Sequence, residues 1–148
     1  MAVRAIRGAT QLDVDEREHL LERSAELVKA VLEANDLENE DLISILFTVT
    51  SDLRSEFPAV AGRQIGLTDV PLMCMQEIPV PHALPRVVRL MVHTETPRSR
   101  DKIQHVYLHG AVALRPDQLG RPLEQVLPLV RVQLGGTPDR PYRHCPAS

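Results

Sequence analysis

Only one stretch of the chain carries a long helical period. Leu20, Leu21, Ser24, Leu27, Val28, Val31 and Leu32 recur on one stripe, while Glu18, Glu22, Arg23, Glu26, Lys29 and Glu33 line the opposite side. Around this stretch lie short runs of β-branched and apolar residues, the signature of strands. A sheet built from those runs has two faces, and one long helix covers only one of them. The other face needs a different cover, and self-association is the simplest.

Residues 2–9 alternate and stop at Gly8, which predicts a first strand. Asp13 followed by Glu16 reads as a capping-box variant that opens the helix, and Asn35-Asp36 closes it. Leu42 to Thr50 is a nearly continuous apolar run, the pattern of a strand buried on both faces. Pro58 suits the first turn of a short helix that ends before Gly66. Further strands are expected over 70–78 and 86–96, separated by an extended turn containing Pro79, Pro81 and Pro85. Residues 103–114 hold one or two more, broken near Gly110. The expectation is an α+β (mixed α/β) domain over residues 1–117, with a five-stranded mixed sheet and one long and one short helix on its outer face. Six of the chain's 12 prolines fall within 116–148, so residues 118–148 read as a proline-rich C-terminal tail.

Composition excludes several function classes. Aromatic residues are 3% of the 148, too few for the stacking platforms of single-strand nucleic-acid modules. No run approaches the length of a membrane span, and the arginine-broken start lacks the apolar block of a signal peptide. Cys74 and Cys145 are too few for a disulfide framework. These features point to a cytoplasmic enzyme or binding domain, with neither nucleic acid nor membrane as partner. The first 60 residues carry 13 acidic and 6 basic side chains and the remainder 7 and 11. This imbalance fits a solvated acidic helix, or an anion site in the second half.

The usual motifs of covalent, phosphoryl-transfer and zinc chemistry do not occur: no glycine-rich phosphate loop, His-Glu-x-x-His, Cys-x-x-Cys or Gly-x-Ser-x-Gly. His105 and His109 are four apart, but on a strand-like stretch without a nearby carboxylate, which favours a solvated face over a metal site. The informative signal is arginine inside apolar strands. In Arg86-Val-Val-Arg-Leu-Met-Val, alternation puts Arg89 on one face with Val87 and Met91, flanked by apolar positions that imply desolvation. Arg7 shares a face with Val3 and Ala5. A buried guanidinium needs a negative partner. Glu77, on the Met73 and Met75 face, is one candidate; an anionic ligand is the other, because two arginines exceed one carboxylate.

Arg7-Gly-Ala-Thr, Phe57-Pro-Ala with Arg63 six residues on, Cys74-Met-Gln-Glu77, Arg89-x-Met, and His105-Val-Tyr-Leu followed by Leu114-Arg-Pro-Asp occur in this order from residue 3 to about residue 117. In that order and spacing the sequence resembles the monofunctional homotrimeric chorismate mutases, the mixed α/β class and not the all-helical one. The resemblance implies a sheet that trimerises into a pseudo-α/β-barrel, with active sites in clefts between subunits. It also implies conversion of chorismate to prephenate by a pericyclic Claisen rearrangement in aromatic amino acid biosynthesis. No cofactor and no metal are needed, since the site has only to hold the reactive conformer and stabilise separating charge.

On the resemblance, Arg89 sits at the ether oxygen, Arg7 clamps a carboxylate, and Glu77 accepts from the ring hydroxyl with Cys74 beside it. Tyr107 donates to a carboxylate, Phe57 and Met73 line the substrate, and Arg63 and Arg115 lie near the entrance. Cys74 and Glu77, three apart, reach one pocket only if their strand bends or ends near Gln76. Val60 and Met73 stand where the family often has a lysine and a small polar residue, which makes the mouth less polar. The alternative function is a non-catalytic trimer that binds a small carboxylate in the same intersubunit cleft. Such a binder needs carboxylate clamps but no cation at a breaking ether bond.

Overall fold

A computed structural model describes residues 1–114. Arg115, Cys145, the boundary expected at 117 and the tail 118–148 lie outside the described residues. The chain forms β1 (Ala2–Gln11), α1 (Arg17–Ala34), β2 (Leu42–Val49), α2 (Pro58–Gln64), β3 (Leu72–Gln76), β4 (Val87–Thr96) and β5 (Val106–Leu108). The five strands make one mixed sheet in the order β3-β2-β4-β1-β5. The central β4 is antiparallel to both neighbours, and the outer strands β3 and β5 run parallel to β2 and β1.

Helix α1 buries the stripe read from the sequence: Leu20, Leu21, Ser24, Leu27, Val28 and Val31. It packs on the face that carries Ile6, Ile45, Phe47, Val88, Leu90 and Val92. Each large side chain buried there contributes about 1.5–3 kcal/mol. The capping box expected at Asp13 does not form; Glu16 is the N-cap and makes no side-chain cap bond. Asp13 is instead committed to a salt bridge with Arg23 at 3.0 Å, and its N–H donates to His19 Nε2. The other end closes where expected. The Asn35 side chain donates to Val31 O and Gln104 O and accepts from Gln104 N–H, tying the helix end to the approach to β5.

Helix α2 starts on Pro58 and ends in a Schellman arrangement, with Leu67 N–H bonded to Gly62 O and Gly66 N–H to Arg63 O. Gly66 has φ +102°, which a residue without Cβ adopts at little cost. Gly8 has a different reason to be small. A Cβ there would meet Val31, Leu27 and Leu90 at 3.0–3.1 Å, so α1 lies close against β1 at this point. Gly8→Ala is expected to destabilise the fold by about 1–3 kcal/mol through overpacking, read as a lower urea midpoint at unchanged slope.

One strand reading needs correction and another is narrowed. Residues 42–49 are not buried on both faces: Ile45 and Phe47 are, while Ser44, Leu46 and Thr48 on the opposite face are only partly covered. Residues 103–114 supply one three-residue strand and then a 3₁₀ turn over His109–Leu114. Pairing with β1 stops at Thr10–Leu108, and His109 turns the chain with φ 52°. That turn lays Ala111 and Leu114 over Ala9, Val87 and Tyr107, a satellite cluster that covers one end of the otherwise open sheet face. Among the described residues nothing covers the rest of that face: Val3, Met73 and Met91 are all exposed.

Candidate active site

Strand register places a row of side chains straight across the open face: Met75 on β3, Thr48 on β2, Arg89 on β4, Ala9 on β1 and Tyr107 on β5. The next row on that face holds Met73, Leu46, Met91 and Arg7. Alternation along each strand puts these residues opposite the apolar set under α1. Together Arg7, Leu46, Thr48, Met75, Arg89 and Tyr107 line a cleft of roughly 320 Å³. Its position beside the Ala9–Val87–Ala111 cluster gives it one apolar wall.

Arg89 is not desolvated in the single chain; its side chain is 45% exposed. The helical layer covers Val88, Leu90 and Val92, so the arginine faces the uncovered side. Val87, on the same face, is buried in the cluster that Ala111 and Leu114 of the 3₁₀ turn form with Ala9, Leu84 and Tyr107. The ion pair considered with Glu77 is present: Arg89 Nε lies 3.0 Å from Glu77 Oε1. The same oxygen accepts a 2.6 Å hydrogen bond from Thr48 Oγ1. Glu77 follows the last residue of β3, and its backbone N–H donates to Val49 O at 2.9 Å. Arg7 is half-buried, and its backbone N–H donates to His105 Nδ1, which must therefore be the unprotonated ring nitrogen.

The remaining residues gather elsewhere. Cys74 pairs in register with Phe47 on the helix-covered face and packs against the main core. Burial pushes its thiol pKa up, opposed by a backbone hydrogen bond with Ala59 and by the charge of Arg63. Cys74 and Phe57 line a second cleft of roughly 330 Å³ with Leu53, Glu56, Pro58 and Gln76. The strand does end at Gln76, yet Cys74 lines this second cleft while Glu77 bonds to Arg89 and Thr48, which line the first. Phe57 is 65% exposed. Its N–H donates to Glu56 Oε1, and this bond, followed by that from Arg17, holds the Glu56 carboxyl below its ordinary pKa. Arg63 is exposed in the last turn of α2, and Met73 is exposed on the open face beside Leu46.

His105 and His109 do not form a solvated strand face. His109 lies past β5 and its Nε2 is 2.8 Å from Glu26 Oε1 on α1. Among the described residues no three His, Cys, Asp or Glu side chains converge on a metal position. Sequence reasoning missed Thr48 and Met75. The available signal was the alternation of Ser44 and Thr48 with Ile45 and Phe47, which marks a half-covered strand.

The family model for chorismate mutase type I matches residues 3–118. The chorismate mutase AroH of Thermus thermophilus is 47% identical over 116 residues, spanning 78% of this chain and 95% of that protein. The AroH chorismate mutase of Bacillus subtilis strain 168 is 40% identical over 118 residues, spanning 79% and 93%. A solved chorismate mutase from Clostridium thermocellum superposes with a TM-score of 0.72 at 45% identity, covering 73% of this chain and 96% of that one.

Proposed function

The chain belongs to the type I chorismate mutase family, and we propose that its open-face cleft rearranges chorismate to prephenate. The observation that carries this reading is the Arg89–Glu77–Thr48 constellation, whose Arg89 and Thr48 line one cleft with Arg7 and Tyr107. The rearrangement moves electrons around a six-atom ring: the ether C–O bond breaks as a C–C bond forms. Neither a nucleophile nor a proton shuttle is required. The site must hold a folded dicarboxylate and favour negative charge on the departing oxygen.

Arg89 is assigned to that oxygen. Its Nε edge faces Glu77, which leaves the two terminal nitrogens of the fork for the substrate. A guanidinium kept in place beforehand stabilises the transition state more than the ground state. Arg7 clamps a carboxylate, Tyr107 donates to one, and Glu77 accepts from the ring hydroxyl through its remaining oxygen lone pairs. Phe57, Arg63, Met73 and Cys74, with Arg115, complete the substrate contacts.

One chain does not bring these groups around one substrate, because Phe57 and Cys74 open into one cleft and Arg7, Arg89 and Tyr107 into another. The proposal therefore includes a homotrimer, with each site made where the second cleft of one subunit meets the open face of its neighbour. The exposed Val3, Met73 and Met91 support it, since association removes that apolar surface from water. A cytoplasmic location suits such a biosynthetic step. No helix among the described residues is long and apolar enough to cross a membrane.

The test uses the purified full chain with chelator present and no added cofactor. Chorismate absorbance is expected to fall with formation of prephenate. Tight binding of chorismate without depletion at high protein concentration would favour the carboxylate-binding alternative and overturn the enzyme reading.

A further inference from the structure

We infer that Thr48 is a positioning residue for the rearrangement, acting through Glu77 on the guanidinium of Arg89. This rests on the chorismate mutase reading above. Glu77 stands just past the end of β3, where its backbone N–H anchors it to Val49 O. Its carboxylate direction is therefore set by its side-chain partners. Among the described residues these are Thr48 Oγ1 at 2.6 Å and Arg89 Nε at 3.0 Å, both on Oε1.

The two partners are unequal. Arg89 has a long side chain, 45% exposed, whose own direction needs fixing. Thr48 is mid-strand, paired with Met75 on one side and Arg89 on the other, and its β-branched side chain has few rotamers. Its hydroxyl donates to an ionised acceptor, the stronger class of hydrogen bond. Thr48 thus fixes Glu77, and Glu77 fixes the Nε edge of Arg89, so that the terminal nitrogens present one geometry to the cleft. A hydroxyl on β2 becomes the fixed point for a cation on β4.

Thr48→Val keeps the branched shape and removes the donor. It is expected to lower kcat roughly ten- to a hundred-fold, the scale of a small misplacement of a catalytic group, with KM changed by less than about threefold. Thr48→Ser retains the hydroxyl and is expected to recover most of the rate. In a Glu77→Ala background, Thr48→Val should add almost nothing, because the residue it acts through is gone. Thr48→Ala, run in parallel with circular dichroism, carries the same kcat expectation should the valine variant fail to fold.

A Thr48→Val enzyme with wild-type kcat, a loss confined to KM, or an undiminished loss in the Glu77→Ala background would each overturn the role of Thr48. Absence of turnover in the unmodified protein would instead overturn the chorismate mutase reading, so the two failures are distinguishable.

Discussion

Arg89→Ala is expected to lower kcat for chorismate by about a thousand-fold or more while leaving the fold intact. Removing a single neutral donor from a developing oxyanion costs about a hundred- to a thousand-fold, and Arg89 brings a full charge to that task. The fold should tolerate the change because the side chain is 45% exposed and makes no core contact of the kind made by Val88 or Leu90. Glu77 would keep its bond from Thr48, so the carboxylate is not orphaned. Arg89→Lys is expected to fall in between: charge is retained, but a point ammonium cannot meet Glu77 with one edge and the substrate with another. Steady-state kinetics with unfolding curves separate the cases. A folded Arg89→Ala protein with near-normal kcat would refute the assignment of Arg89 to the ether oxygen.

The arginine–carboxylate pair was legible because charge in an apolar strand has to be balanced. What covers the strand was not. Alternation assigns Arg89 to a face with Val87 and Met91, and both neighbours are apolar, so the face reads as buried. In the folded chain Val87 is sealed by a 3₁₀ turn, Met91 is exposed and Arg89 lies between them. Period two tells which residues share a face but is silent about what lies over it. Helix α1 was legible for the opposite reason, since its stripe and its charged side are both set by sequence-local spacing.

Boundaries failed where a side chain had a long-range alternative. Asp13 has the spacing of a cap, yet Arg23 engages it and the helix begins later. His105-Val-Tyr-Leu has strand composition, but only three residues find a partner in β1 before His109 turns away. Thr48 was overlooked within a strand read as buried on both faces, because its importance arises from register: it stands opposite Arg89 and within reach of Glu77. Cys74 and Phe57 were recognisable from family motifs, whereas their separation from Arg89 within one chain is a property of the sheet. Cys74 lines one cleft and Arg89 another, and no spacing rule reveals which cleft a β3 side chain enters.

That separation sets up the second large effect. On the proposed intersubunit site, Arg89→Ala is expected to damage the open-face half and Arg63→Glu the half formed by α2 and Phe57. The burden on Arg63 is heavy because Val60, packed against the core, supplies no charge to that half. Reversing a cation opposite a dianion should leave little activity, and Arg63 is exposed, so the fold should accept the change. Each variant alone is therefore nearly inactive. Mixed in equal amounts through unfolding and refolding, they form trimers in which about one quarter of intersubunit sites receive both intact halves, by random assortment around a cyclic interface. Activity should rise from near zero to about that fraction of wild type, with differently tagged subunits co-purifying and light scattering giving a trimer. Co-purification without recovery would locate each site within one subunit, and a stable, active monomer would remove the need for a neighbour. Recovery cannot arise from either variant alone, since each chain carries the same damaged half in every copy. Restored turnover would therefore mean that the sheet face left open by a single long helix is where a neighbouring subunit completes the chemistry.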